Sequence, residues 1–476
     1  MAQLLRPLDD FTSKDIPEKK GSFWKLAGPG AVLVGLSIGA GESIIWPRIV
    51  AEYGAGMVWA AIVGVFLQLW INLEIGRWTV ATGETVYTGY CRVWRGFAPL
   101  FILLTLLGWL APGWGRASGL ALKALLVGTQ GYGSDTFWTV ITFAAVSLVL
   151  FGPKLVYQSV ERTIELLVAV VTIGLIIVAI NVGSADVWKD LGAGIVNVGY
   201  RHPDMNIKAL FIGIVFAGAG GTANLFYTFY LRDKQIGMGA LVPTMHNPLR
   251  GRSEKIPATG YQYPDTPENA ARFRQWWNYL KQDQAIFFWG LNSLTILLFI
   301  FGSIAVLHPR GIVPAKGTLI WDEAVILGEI WGTTGLRVFL LVGVATLFST
   351  QLAVIDGVSR SLSDIIFTNF KGAQKRDLSW WYLVVAGTWI LVGCLITFVM
   401  ENAGVSDLGF LFNAAYMGGF AMAIYVPLTL YINLRYLPVS ARPHPVCVTM
   451  MVLASLVYVG FAVACIIWEV VSRFGG

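Results

Sequence analysis

The chain has 476 residues, of which 56% are hydrophobic and only 13% charged. Soluble domains carry about 25% charged residues, so a soluble globular protein is excluded, and the long apolar runs make this a polytopic membrane protein. The formal net charge of +6 is small and sits in loops, where it orients the chain on a membrane and gives no reason to expect nucleic acid as a partner. Cys91, Cys394, Cys447 and Cys465 form no Cys-x-x-Cys pair, which excludes a zinc or redox motif of that kind. No His-Glu-x-x-His is present, and a hydrolytic membrane enzyme is not expected.

Residues 1–26 read as a polar tail with both charge signs, unlike a signal peptide. Apolar segments then predict eleven spans, near 27–52, 56–79, 98–127, 136–152, 157–182, 207–231, 282–308, 336–366, 379–400, 406–434 and 444–471. The third and eighth are long enough to tilt or to extend beyond the bilayer. The expected fold is all-α: a first five-helix repeat over 27–182, a second over 207–434, and an eleventh helix within 444–476. The polar stretch 232–281 reads as a connector ending in a short helical piece at 268–281.

Lys and Arg set the orientation. The tail has Arg6, Lys14, Lys19, Lys20 and Lys25; loop 232–281 and the loop carrying Lys371, Lys375 and Arg376 are also basic, while 128–135 has no Lys or Arg. With eleven spans the three basic regions share one side. The N-terminus is expected to be cytoplasmic and the C-terminus outside, in a plasma (inner) membrane protein whose contacts are lipids and a small ion.

Two copies of Gly-Ala-Gly lie in the middle of membrane-length apolar segments. The first copy is Gly39-Ala40-Gly41, followed by Glu42 and Ser43; the second is Gly218-Ala219-Gly220, followed by Gly221, Thr222, Ala223 and Asn224. Glycine in mid-membrane breaks a helix, and broken backbone is tolerated there only where it is buried or lines a cavity. One Gly-x-Gly is ordinary helix packing. Matched copies at the start of each half point to the substrate site of an inverted-repeat transporter. Half-helices starting at Gly41–Ser43 and at Gly220–Ala223 would aim free amides at the membrane centre from opposite sides, an arrangement that favours anions.

These segments resemble the Nramp family of proton-coupled divalent-metal transporters, within the LeuT-like architecture. The resemblance runs through Gly28-Pro29-Gly30, Ile38-Gly39-Ala40-Gly41-Glu42 and Ala51-Glu52-Tyr53-Gly54 in the first span. It continues through Ala81-Thr82-Gly83, Asn224-Leu225-Phe226, and Ser349-Thr350-Gln351 up to Asp364. It implies a LeuT-like 5+5 inverted repeat with helices 1 and 6 broken. The departures fall on the metal ligands. The family's Asp-Pro-Gly-Asn is Gly39-Ala40-Gly41-Glu42 here, and its Met-Pro-His is about Gly221-Thr222-Ala223. Soft-metal selectivity needs a soft or imidazole ligand, so no transition-metal site, other metal site or cofactor is expected. Where the family's third span has acids, this chain reads Ala111-Pro112-Gly113-Trp114-Gly115-Arg116, with Lys123 further on.

Charges inside a membrane are costly and are functional candidates by default. Arg48, Glu74, Glu161 and Arg162 lie near span ends and read as snorkelling side chains. Asp356, Arg360 and Asp364 share one helical face and read as a structural ion-pair ladder. Glu42 sits in the break itself and is the candidate coupling or ligand residue; Arg116 and Lys123 are candidates for adding positive charge.

The favoured substrate is a small inorganic anion such as bicarbonate, moved by symport with protons or another cation. One alternative is magnesium or another divalent cation, with Glu42, Thr222, Asn224 and Asn413 as oxygen donors; the other is an organic amine. A channel would need a repeating polar filter, which is missing. The protein is expected to act as a monomer, without nucleic acid.

Overall fold

The computed structural model describes residues 4–39, 41–110, 113–205, 207–247, 249–250, 255–313, 319–403 and 407–474. Among them, nine helices are long and apolar enough to cross a membrane, and Asp135–Phe151 is a shorter apolar helix. Broken segment Ile207–Asp233 lies between the fifth and seventh of the expected spans. Spans are numbered below in the order expected from the sequence.

Span 1 runs over Pro29–Tyr53 and span 2 over Ala55–Thr82. Span 3 is two helices, Phe97–Trp109 and Gly113–Val127; spans 4 and 5 are Asp135–Phe151 and Val156–Val182. Span 7 belongs to a continuous helical run, Pro267–Arg310. The helical piece expected at 268–281 is therefore its N-terminal extension. Span 8 lies in Leu319–Asn369, which is interrupted at Gly332 (φ 67°) and so starts well before the expected boundary. Spans 9, 10 and 11 are Leu378–Ala403, Asp407–Tyr436 and Pro445–Phe474.

Two helices fall where loops were expected. Val86–Val93 is started by Thr85, whose side chain accepts from the Thr88 amide. Ala185–Val196 is started by Ser184, whose side chain accepts from the Val187 amide. Both have the Ser/Thr cap that opens a helix. Both are too short for a span, which is why a search for membrane-length apolar runs passes over them.

The basic tail and the two basic loops meet on one face. Thr12 and Ser13 pair in parallel with Tyr261 and Gln262, and Leu5 bridges Phe370. The Trp276 indole donates to the Pro17 carbonyl (2.8 Å) and the Tyr279 hydroxyl to the Leu26 carbonyl (2.9 Å). The described residues of 232–281 thus form a packed layer with buried Phe273, Trp276 and Tyr279, more than the simple connector expected. Span 11 begins at this face, because Tyr263 reaches Ser440. Near its far end Glu469 pairs with Lys208 at the start of span 6 (3.2 Å). The described tail and the last turns of span 11 therefore lie on opposite faces.

Most intramembrane charges are paired. Glu74 is no snorkelling group: it is fully buried, bonded to Arg77 (2.8 Å) and to the Asn433 amide (2.8 Å). Glu161 is likewise held by Lys234 (2.7 Å). Arg48 and Glu52, 3.7 Å apart and part-exposed, do fit snorkelling. The expected ladder is present in altered form. Arg360 pairs with Asp356 and with Asp233 of span 6, whereas Asp364 pairs with Arg232 (3.2 Å). Asp364 thus turns from its own helix to span 6, and spans 6 and 8 are clasped by two buried ion pairs.

Candidate functional site

Span 1 breaks at its glycines. Helix Pro29–Ser37 ends, and the chain resumes as a wide π-turn, Gly41–Ile45, leading into helix Trp46–Tyr53. Pro47 fits there because a first-turn amide has no intrahelical partner to lose. Span 6 breaks in the matching place. Helix Ile207–Val215 ends, and the chain re-enters through the tight turn Gly221–Phe226 into helix Tyr227–Asp233. Gly220 and Gly221 have φ of 66° and 52°, values that glycine adopts at no steric cost.

The two breaks touch. A side chain at Gly41 would run into the Phe216 carbonyl, and one at Gly39 into the Thr350 hydroxyl of span 8. Between them lies a cavity of about 10 Å³, room for about one water molecule. It is lined by Leu36, Ser37 and Gly41 of span 1 and by Phe216, Gly218 and Ala219 of span 6. Trp109 and Trp114 of span 3, Thr350 of span 8 and Ala414 of span 10 complete the wall. Among these described residues there is no carboxylate, imidazole or thioether, and the Trp114 indole nitrogen has no hydrogen-bond partner. No group of three or more His, Cys, Asp or Glu able to hold a metal occurs among the described residues.

The break in span 6 is closely capped. The Gln68 carboxamide of span 2 donates to the Val215 and Ile214 carbonyls (2.9 and 3.4 Å). It accepts from the Gly220 amide (3.1 Å) and from Asn224 (3.2 Å). Asn292 of span 7 donates to the Ala217 carbonyl (3.0 Å), and Tyr425 of span 10 to the Gly221 carbonyl (2.8 Å). The Thr222 hydroxyl accepts from the Trp109 indole (2.9 Å).

These bonds correct the expectation of open amides at both breaks. The Ser43 amide donates to the Gly39 carbonyl (3.0 Å), the Ala223 amide to the Gly220 carbonyl (3.1 Å), and the Gly220 amide to Gln68. First-turn amides lack intrahelical partners, which in span 6 leaves those of Gly221 and Thr222 as the candidates.

Glu42 is fully buried, and neither carboxyl oxygen has a hydrogen-bond partner. Thr295 of span 7 is its polar neighbour. That hydroxyl also donates to the Leu291 and Asn292 carbonyls (both 3.1 Å).

Gly39, Gly41, Glu42, Ser43, Gly218, Gly220, Gly221, Thr222, Ala223 and Asn224 thus lie at the two breaks; Ala40 falls outside the described residues. Arg116 and Lys123 do not line the cavity. They reach Asp135 at the start of span 4 (3.4 and 3.0 Å), and the Glu401 carboxylate caps the Asp135 and Thr136 amides (3.2 and 3.0 Å). Their charge is shared with the carboxylates of that cluster, which weakens the positive charge expected of them. Asn413, named above as an oxygen donor, is exposed. Gln68, Trp109, Trp114, Asn292, Thr295, Thr350 and Tyr425 were not singled out. For Gln68 and Asn292 the signal was a carboxamide inside an otherwise apolar span.

No family model matches the chain, and no curated relative matches it. Solved structures do. A mutant of the Eremococcus coleocola manganese transporter superposes with a TM-score of 0.68 at 15% identity, over 98% of this chain and 91% of that one. Mhp1, a nucleobase-cation-symport-1 family transporter closed on bromovinylhydantoin, gives 0.54 at 14% identity, over 96% and 94%. MhsT in complex with L-phenylalanine gives 0.52 at 14%, over 94% and 100%. The chain therefore has the LeuT-like fold, an all-α membrane architecture with broken helices. The likeness to these proteins is one of fold.

Proposed function

We propose that this chain is an Nramp-related secondary active transporter that carries a small inorganic anion such as bicarbonate and does not carry transition metals. The observation that carries the reading is the lining of the cavity between the breaks, which has the unpartnered Trp114 indole N–H and no carboxylate, imidazole or thioether among its described residues. The Trp114 indole N–H, which has no partner in the protein, is the donor that the cavity wall offers the anion, and in this reading the first-turn amides of Gly221 and Thr222 add to it. In a water-poor site such oriented dipoles stabilise negative charge far better than they do in water.

Glu42 is the coupling group of this proposal. A buried charge without a partner is costly, so the protonation of Glu42 is the step that transport can be tied to. An anion entering beside a protonated Glu42 brings in no uncompensated like charge, and the proton then travels with it. In this reading eleven spans form a 5+5 inverted repeat, with halves over 27–182 and 207–434 and the eleventh helix in 444–476. The face holding the tail and the basic loops is cytoplasmic.

One observation favours a second reading, a hard divalent cation: the unpartnered oxygens of Glu42. One carboxylate is few for such an ion, which takes six or more oxygens.

Uptake by the purified protein in liposomes separates these readings. The proposal expects radiolabelled bicarbonate to accumulate along an inward proton gradient while manganese and magnesium do not. Magnesium or manganese uptake without bicarbonate uptake would overturn it.

A further inference from the structure

We infer that Gln68 of span 2 is a positioning residue that sets the shape of the break in span 6 and makes spans 2 and 6 move as one body. The inference rests on the reading of that break as a wall of the transport site. A broken helix leaves carbonyls unsatisfied at the end of its first half and amides unsatisfied at the start of its second. Unpaired backbone groups in a membrane protein's interior are expensive.

Gln68 meets both needs with one side chain. Its Nε2 donates to the Val215 carbonyl (2.9 Å) and the Ile214 carbonyl (3.4 Å), and its Oε1 accepts from the Gly220 amide (3.1 Å). The same oxygen accepts from Asn224 (3.2 Å), which also donates to the Tyr425 hydroxyl (3.1 Å) of span 10. Gln68 is fully buried, so water does not offer these groups an alternative.

The chemistry is selective. Only a carboxamide, or a protonated carboxyl of the same length, presents a donor and an acceptor at this reach. Lysine has no acceptor, methionine neither function, and an ionised glutamate no donor. Gly218 belongs to the same device, because a Cβ there would lie 2.6 Å from the Gln68 oxygen. Holding span 6 at both loose ends ties the break to a span that is itself unbroken over 28 residues. The geometry around Gly221 and Thr222 is then fixed before any substrate arrives.

The test uses the full chain in lipid nanodiscs and needs no knowledge of the substrate. Amide hydrogen exchange is followed over 214–226 for wild type, Gln68→Met and Gln68→Glu, from about pH 8 to about pH 5, each compared with wild type at the same pH. The phenols of Tyr425 on span 10 and Tyr458 on span 11 are the titratable neighbours; a phenol keeps its proton in this range. A parallel set in the Glu42→Gln background removes that carboxyl from the comparison.

Gln68→Met should speed exchange in 214–226 about tenfold or more, leaving spans 4 and 9 near wild type. Gln68→Glu should resemble Gln68→Met at the high end. It should return toward wild type as the pH falls, because the protonated carboxyl regains a donor for Val215. Unchanged exchange in Gln68→Met, an equal rise throughout the bundle, or a Gln68→Glu variant without pH-dependent rescue would each overturn the inference. If Gln68→Met does not fold, the Gln68→Glu series decides alone. Wild type that moves no bicarbonate would sink the proposed substrate while leaving this exchange result standing.

Discussion

The two breaks look alike in sequence and differ in how they are held. In span 6 the loose ends are taken up by Gln68, Asn292, Tyr425 and Trp109, side chains from four other spans. Its far end is then clasped to span 8 through Asp233–Arg360 and Arg232–Asp364. In span 1 the anchors lie to either side of the break. The Gly30 amide bonds Asp283 (3.2 Å), Ser349 bonds the Gly35 carbonyl (2.9 Å), and Ser303 bonds the Pro47 carbonyl (2.7 Å). At the break itself Glu42 has no partner. In the proposed reading the difference gives two roles: span 6 presents a fixed wall, and span 1 carries the group free to change its protonation.

The largest expected effect comes from unclasping span 6. Arg360→Met leaves Asp356 and Asp233 as buried carboxylates without their cation, and breaking such a pair costs about 3–5 kcal/mol. Thermal unfolding in detergent should show a large fall in midpoint. A variant as stable as wild type would mean that span 6 is not held there.

The contact between the breaks comes next. Gly41→Ala drives a methyl group into the Phe216 carbonyl, and overpacking of this kind costs about 1–3 kcal/mol. Uptake should fall with stability. Full uptake with an unchanged midpoint would mean that the breaks can separate freely, against the tight contact described here.

The sequence made the breaks legible because glycine is needed for a reason visible in the chain alone. Gly220 and Gly221 take positive φ, and Gly39 and Gly41 approach a neighbouring side chain and backbone too closely for a Cβ. The long apolar helices were legible for the same kind of reason, since membrane thickness sets their length; among the described residues nine are long and apolar enough to cross a membrane. What lay hidden was partnership. Arg116 and Lys123 read as cations near the site, while the carboxylate they share, Asp135, is in plain view at the start of the next span. Nothing in the spacing says that span 4 folds back onto them. Gln68 was equally visible, but a lone carboxamide in a helix does not reveal which backbone groups it will cap. Trp114 is one of 19 tryptophans, and only packing distinguishes it.

Trp114→Phe gives a smaller, more selective effect. It removes an indole N–H that has no partner in the protein while keeping an aromatic ring. Stability should hold, because no internal hydrogen bond is lost. A neutral donor to an anion is worth about 1.5–3 kcal/mol, so half-saturating bicarbonate should rise about tenfold or more. An unchanged value would remove Trp114 from the anion's contacts and weaken the case for a donor-lined site.

Glu42→Gln bears most directly on the central claim, that a proton-linked anion site lies between a fixed break and a protonatable one. The measurement is radiolabelled bicarbonate in liposomes, followed both as exchange at equal pH and as accumulation along an inward proton gradient. The variant is expected to exchange bicarbonate at a rate close to wild type but no longer to accumulate it along the gradient. Full pH-driven accumulation by Glu42→Gln would contradict it and return Glu42 to a structural role.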